Sequence, residues 1–209
     1  MGGTRRRGDA GAIVLAAGAS VRFGGSPKAL LAVDGEPAVV RIVRQLGEVG
    51  TLPPVVVTGA EVAGIRAVLA GGPARVVENP AWAAGRTGSV QAGLSVLGSG
   101  DPIVLWPVDH PFVEAKTVRG LLDAARTDPV SVWFIPSYRG RSGHPVAFRA
   151  SVVPRLRALS PAEPLRAVLA PLGAGVRRIA SDDPGVLANV DTPEAFERAR
   201  AERAARGGR

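Results

Sequence analysis

Ala12-Ile-Val-Leu-Ala-Ala-Gly18-Ala-Ser-Val-Arg-Phe-Gly-Gly-Ser-Pro-Lys28 is the stretch from which the rest of the chain can be read. Its opening run is apolar and uncharged, which predicts a buried strand over Ala12–Ala16. The run passes directly into small residues, whose backbone N–H groups can approach a phosphate chain closely. Arg22 and Lys28 add positive charge over the same loop. Gly18 and Gly24 also suit plain turns, and Lys28 also suits an ordinary surface. Spacing decides against two familiar phosphate loops. A P-loop needs Gly-Lys-Ser/Thr, whereas Gly24 is followed by Gly25, Ser26 and Pro27. The dinucleotide fingerprint does not fit Gly18, Gly24 and Gly25 either. What remains is a long loop able to wrap a triphosphate, with Lys28 as a compact point charge.

Working outward, short β-branched runs alternate with helical patterns. Strands are predicted at Val55–Val57, Arg75–Val77, Ile103–Trp106, Ser131–Pro136, Val146–Arg149 and Val176–Ile179, with Ile103–Trp106 central. Helices are predicted at Pro37–Val49, Glu61–Leu69, Thr87–Leu97, Glu114–Ala125 and Pro193–Arg206, the last capped by Asp191 or Thr192. The expected fold is α/β, a three-layer sandwich with a mostly parallel, Rossmann-like sheet. Residues 1–10 read as a flexible N-terminal tail and residues 11–206 as one domain.

Composition narrows the function classes. The chain has no cysteine, so a disulfide, a thiolate nucleophile and a thiolate metal site are excluded. The net charge of +8 is carried almost wholly by arginine, concentrated at Arg5–Arg7 and Arg198–Arg209. With 4% aromatics not interleaved with these clusters, no stacking platform for nucleic acid is visible. The apolar run after the N-terminus is too short for a membrane span or signal core, so a soluble cytoplasmic protein is expected.

The carboxylates are the next candidates. Asp109 follows a predicted buried strand, at the edge where open α/β sheets place ligands. Asp191 follows the apolar stretch Val186–Val190, and it suits either a metal ligand or a helix cap. Magnesium prefers one or two carboxylates completed by substrate phosphates and water, which two loop aspartates would satisfy. His110 and His144 are the only histidines and lack a third partner for a zinc site. Ser20 and Ser89 show no triad ordering.

Five blocks in order carry a resemblance. Leu15-Ala-Ala-Gly-Ala-Ser-Val-Arg-Phe-Gly with Lys28 resembles the N-terminal signature of the MobA/MocA-like molybdenum cofactor nucleotidyltransferases. Asn79-Pro-Ala-Trp with Gly85 and Ser89-Val-Gln-Ala-Gly-Leu94 is similar to that family's nucleobase segment. Trp106-Pro-Val-Asp109-His-Pro111 is similar to its metal-binding strand end, Tyr138, Gly140 and Gly143-His144-Pro145 to its acceptor segment, and Asn189-Val-Asp191-Thr-Pro-Glu194 to its closing motif. The resemblance implies a GT-A-like fold and Mg²⁺-dependent nucleotidyl transfer. It implies catalytic roles for Arg22, Lys28 and Asp109, and metal ligation by Asp109 and Asp191. Leu15, Ala16, Ala17, Gly18, Ser20, Asn79, Gly85 and Ser89 would hold the nucleotide, and Tyr138, Gly143 and His144 the acceptor. Phe23 for Met, Ser142 before Gly-His-Pro and the basic Arg86 depart from the usual pattern.

Ala16-Ala17-Gly18 looks more like the cytidylyl branch than the guanylyl branch, which makes CTP the expected donor and molybdopterin the expected acceptor. A molybdoenzyme receiving the product is an implied partner; nucleic acid and membrane are not. Two alternatives stay open: a nucleotidyltransferase acting on a sugar- or polyol-phosphate, and a non-catalytic nucleotide-binding assembly factor for molybdoenzymes.

Overall fold

The computed structural model describes residues 9–20, 23 and 27–207. Strand β1 (Gly11–Ala16) is buried along its whole length. Ala12, Val14 and Ala16 enter one apolar cluster and Ile13 and Leu15 the other, so the strand has no polar side. That is the physical reason for its unbroken apolar run.

The sheet continues with β4 (Val55–Thr58), β5 (Arg75–Glu78), β6 (Ile103–Pro107), β7 (Trp133–Tyr138), β8 (Arg141–Ser142), β9 (Val146–Phe148) and β10 (Val176–Ala180). Their order is β10-β7-β9-β6-β1-β4-β5, with β8 paired to β7, so β6 is central as its apolar run predicts. β1 pairs in parallel with β4 and β6, β4 with β5, and β10 with β7. β9 is antiparallel to both β6 and β7. The register sets Leu15 against both Val57 and Pro107. The carboxyl ends of β4, β1 and β6 therefore lie together at one edge, where an open α/β sheet binds ligands.

Helices cover both faces. α1 (Ala38–Glu48), α2 (Val62–Leu69), α4 (Ala115–Thr127) and α6 (Pro193–Gly207) send Ile42, Ile65, Leu121 and Phe196 into the first cluster. α3 (Arg86–Val96) and α5 (Val153–Ala158) send Val90 and Leu156 into the second. The result is the expected three-layer α/β sandwich.

Three details differ from the sequence reading, and the choice of helix cap that it left open is decided. A hairpin of β2 (Ala32–Val33) and β3 (Glu36–Pro37) turns on Asp34 and Gly35, both at positive φ. Asp-Gly is a strong two-residue hairpin signal, which the sequence reading passed over. β7 starts at Trp133, not Ser131, because the Asp128 carboxylate takes the amides of Val130 and Ser131 in the preceding turn. Thr192, not Asp191, caps α6: its Oγ1 accepts from the Ala195 N–H at 3.2 Å. Ala10, expected in the tail, is buried, and its carbonyl accepts from Leu52. Asp9 is described too, its carbonyl accepting from the Asp101 N–H, and residues 1–8 of the expected tail lie outside the described residues.

Candidate active site

At the end of β6 the chain makes a braced turn. The Val108 N–H donates to Leu15 O at 2.9 Å and the His110 N–H to Pro107 O at 3.1 Å. The Trp106 indole N–H donates to His110 O at 3.0 Å, which fixes the turn from inside the core. Asp109 sits at its tip. The Val190 N–H donates to Asp109 O at 2.7 Å and brings the segment bearing Asp191 alongside. Two aspartates from distant parts of the chain thus meet at the carboxyl edge of β1 and β6.

Each carboxylate faces a cation. Lys28 Nζ donates to Asp191 Oδ1 at 2.5 Å. Arg86 Nη2 lies 3.6 Å from Asp109 Oδ2. Lys28 is itself fixed by its N–H, which donates to Ser20 Oγ at 2.9 Å, and its ammonium lies 5.8 Å from the Phe23 ring centroid. Ser20 takes a positive φ of 51° to make that link. The other carboxylate oxygen of Asp109, Oδ1, is buried without a hydrogen-bond partner. A desolvated anionic oxygen left so is costly, and a cation would satisfy it.

The donor set fits a hard divalent cation that keeps water and takes substrate phosphates. Asp109 and Asp191 would hold it. Among the described residues no group of three or more His, Cys, Asp or Glu side chains could hold a metal, so no protein-only zinc site exists there. The two histidines instead pack on each other, ring centroids 4.8 Å apart. Burial above all, then the nearby charges of His110 and Arg86, pushes His144 down to about 3. Burial also lowers His110, against the opposing pull of Asp109. Both rings are therefore neutral at pH 7.

A cavity of about 250 Å³ opens over the carboxylates. Leu15, Ala16, Ala17, Gly18, Ser20, Lys28, Ser89, Asp109 and Asp191 all line it. A Cβ on Gly18 would meet nothing within 4 Å, so this side is open to a ligand. Asn79 and Gly85 are not in the wall but hold it. Asn79 Nδ2 donates to Ser89 Oγ at 3.0 Å. Gly85, at φ 144°, begins α3 and lies so near the 160s loop that a Cβ would come 2.3 Å from Pro161 O. Arg22 falls outside the described residues.

A second cavity of about 540 Å³ lies beside the first and contains Gly143 and His144. Gly143 is required by close packing, since a Cβ there would come 2.0 Å from Val186 O. Tyr138 is not in this wall; its ring carries the Arg139 guanidinium 5.2 Å from its centroid. Sequence reasoning had Trp82 in its nucleobase segment but missed Glu61 in the first cavity, Trp133 and Ile135 in the second, and Arg86 as a member of both. Only Arg86 had left a signal, as a cation out of pattern beside Gly85.

Residues 12–177 match the MobA-like NTP transferase domain. The nicotine blue oxidoreductase of Paenarthrobacter nicotinovorans is 32% identical over 68% of this chain and 72% of its own. The 2-C-methyl-D-erythritol 4-phosphate cytidylyltransferase of Symbiobacterium thermophilum is 33% identical over 59% of this chain and 53% of its own. Rv0371c of Mycobacterium tuberculosis H37Rv, solved in complex with manganese, superposes with a TM-score of 0.72 at 25% identity, covering 92% of this chain and 98% of that one. No helix among the described residues is long and apolar enough to cross a membrane. By the match over most of its length, on a sheet edge that gathers Asp109, Asp191, Gly18 and Lys28, the chain belongs to the MobA-like NTP transferase domain family and is a nucleotidyltransferase.

Proposed function

We propose that the chain transfers CMP from CTP to the phosphate of molybdopterin, releasing pyrophosphate, with Mg²⁺ as the cation. The observation that carries this reading is the meeting of Asp109 and Asp191 in one cavity with Gly18, Ser20 and Lys28, one Asp109 oxygen still without a hydrogen-bond partner. An assembly factor that only bound nucleotide would have little need of such a pair. Mg²⁺ bound there would neutralise charge on the triphosphate. Lys28, now on Asp191, would turn to the phosphates as that carboxylate acquires another partner, and the resemblance gives Arg22 a part in neutralising the same charge. An oxygen of the acceptor phosphate forms a bond to the α-phosphorus while the bond from that phosphorus to its β-bridging oxygen breaks. The electron pair departs on pyrophosphate. The acceptor monoester, with a second ionisation near about pH 6, needs no protein base at neutral pH.

Two features favour CTP. Ala16 and Ala17 line the donor cavity at the strand end, where in this reading their bulk would leave less room for a purine than glycine would. A cytidylyltransferase is also among the relatives. A relative named as an oxidoreductase supports a second reading, a redox enzyme. The test is pyrophosphate release from CTP and molybdopterin in Mg²⁺. Turnover is expected, with Asp109→Asn lowering it by about 10²-fold or more while the variant unfolds at a similar temperature. Turnover with a sugar phosphate but not molybdopterin would reassign the acceptor.

A further inference from the structure

We infer that Arg86 is the anchor for the acceptor's phosphate, released to that task from Asp109 when a divalent cation binds. This rests on the nucleotidyl-transfer reading above. Arg86 is the first residue of α3 and lines both cavities. Its only ion-pair partner among the described residues is Asp109, through one contact at 3.6 Å and not a bidentate fork. The arginine side chain is 56% exposed and the aspartate 15%, so the cation can leave while the carboxylate stays in place. A divalent ion on Asp109 satisfies that carboxylate and repels the guanidinium beside it. The second cavity then lies open to Arg86.

That cavity suits a particular class of acceptor. Leu105, Trp133, Ile135, Val146 and Leu169 give it an apolar wall. Two of its side chains carry polar atoms without a partner, Trp133 Nε1 and His144 Nδ1. Trp133 is 4% exposed, so its N–H is desolvated and unsatisfied. A flat ring suits this apolar wall better than a polyol, whose hydroxyls would be stranded against it. The phosphate of such a ligand needs a cation. His144 is neutral, and Arg166 lines only the second cavity. Arg86 alone among the described cations stands where acceptor phosphate and donor phosphates must meet.

The experiment titrates phenyl phosphate, by calorimetry, into the full chain holding Mg²⁺ and α,β-methylene-CTP. Arg86→Gln should weaken phenyl phosphate by about 10-fold or more, with Arg86→Lys between, as loss of a charge-assisted contact implies. Glycerol phosphate should bind the wild type more weakly than phenyl phosphate. Spin resonance of Mn²⁺ alone should show tighter metal binding to Arg86→Gln than to wild type, since the competing internal cation is gone. If Arg86→Gln loses the nucleotide analogue and keeps phenyl phosphate, Arg86 serves the triphosphate and the assignment is wrong. Equal Mn²⁺ affinity in the two proteins overturns the release step. Failure of the wild type to bind the analogue in Mg²⁺ overturns the donor reading itself, and it shows before any variant is made.

Discussion

An ammonium 2.5 Å from a carboxylate, in a cavity shared with Gly18 and Ser20, is a charge already placed for a phosphate that has yet to arrive. Lys28 is held there by its backbone bond to Ser20, so little reorganisation is needed to redirect it. Charge that develops on the phosphates during transfer should then be its main partner. Lys28→Ala is expected to lower kcat, with KM for CTP changing less; steady-state kinetics that show only a raised KM would assign Lys28 to ground-state binding. His144 gives a second residue-level expectation. Its folded pKa lies near 3, below the unfolded value of about 6.5, so the unfolded chain takes up a proton first as pH falls. The stability from its neutral form is complete above pH about 6.5 and is lost progressively below it. Tm measured from pH 7 to 5 should fall for the wild type, and the fall should be shallower in His144→Gln. At this scale the aspartates were legible because each follows an apolar stretch that must be buried. Trp133, Ile135 and the double membership of Arg86 were not, because a side chain's membership of a cavity depends on neighbours remote in sequence.

Caps and turns decided what was readable in the elements. Asp191 before Thr-Pro-Glu suited both a cap and a ligand, and only geometry separates these. Thr192 Oγ1 takes the Ala195 N–H, which leaves the Asp191 carboxylate facing Lys28. Thr192→Ala should therefore destabilise the chain by about 1 kcal/mol, a Tm loss of about 2–4 °C. Calorimetry checks this, and an unchanged Tm would show that the cap contributes nothing. The long helices and central strands were legible from periodicity, since α1 buries Val39, Ile42, Val43 and Leu46 on one face. The two-residue strands β2, β3 and β8 were not, because so short a run has no period to detect. Nor could β7's start be read, since it depends on the Asp128 carboxylate taking two amides.

Across the whole molecule, function follows from sheet order. Setting β6 between β9 and β1 brings the turn bearing Asp109 beside the loop that follows β1. The bond from Val190 to Asp109 then delivers Asp191 from the far end of the chain. The alternation of strands and helices implied such an edge, and five motif blocks implied what it does. Which residues share each of the two cavities was beyond reach of the sequence, because β9 runs antiparallel between β6 and β7 and that pairing is long-range. The most direct test of the account is isothermal titration of CTP into the full chain with and without Mg²⁺. The account predicts one CTP per chain, bound more tightly with Mg²⁺ and more tightly than GTP, with the Mg²⁺ enhancement abolished in Asp109→Asn. A chain that ignores CTP and GTP in Mg²⁺ but binds a reduced nicotinamide dinucleotide would contradict it.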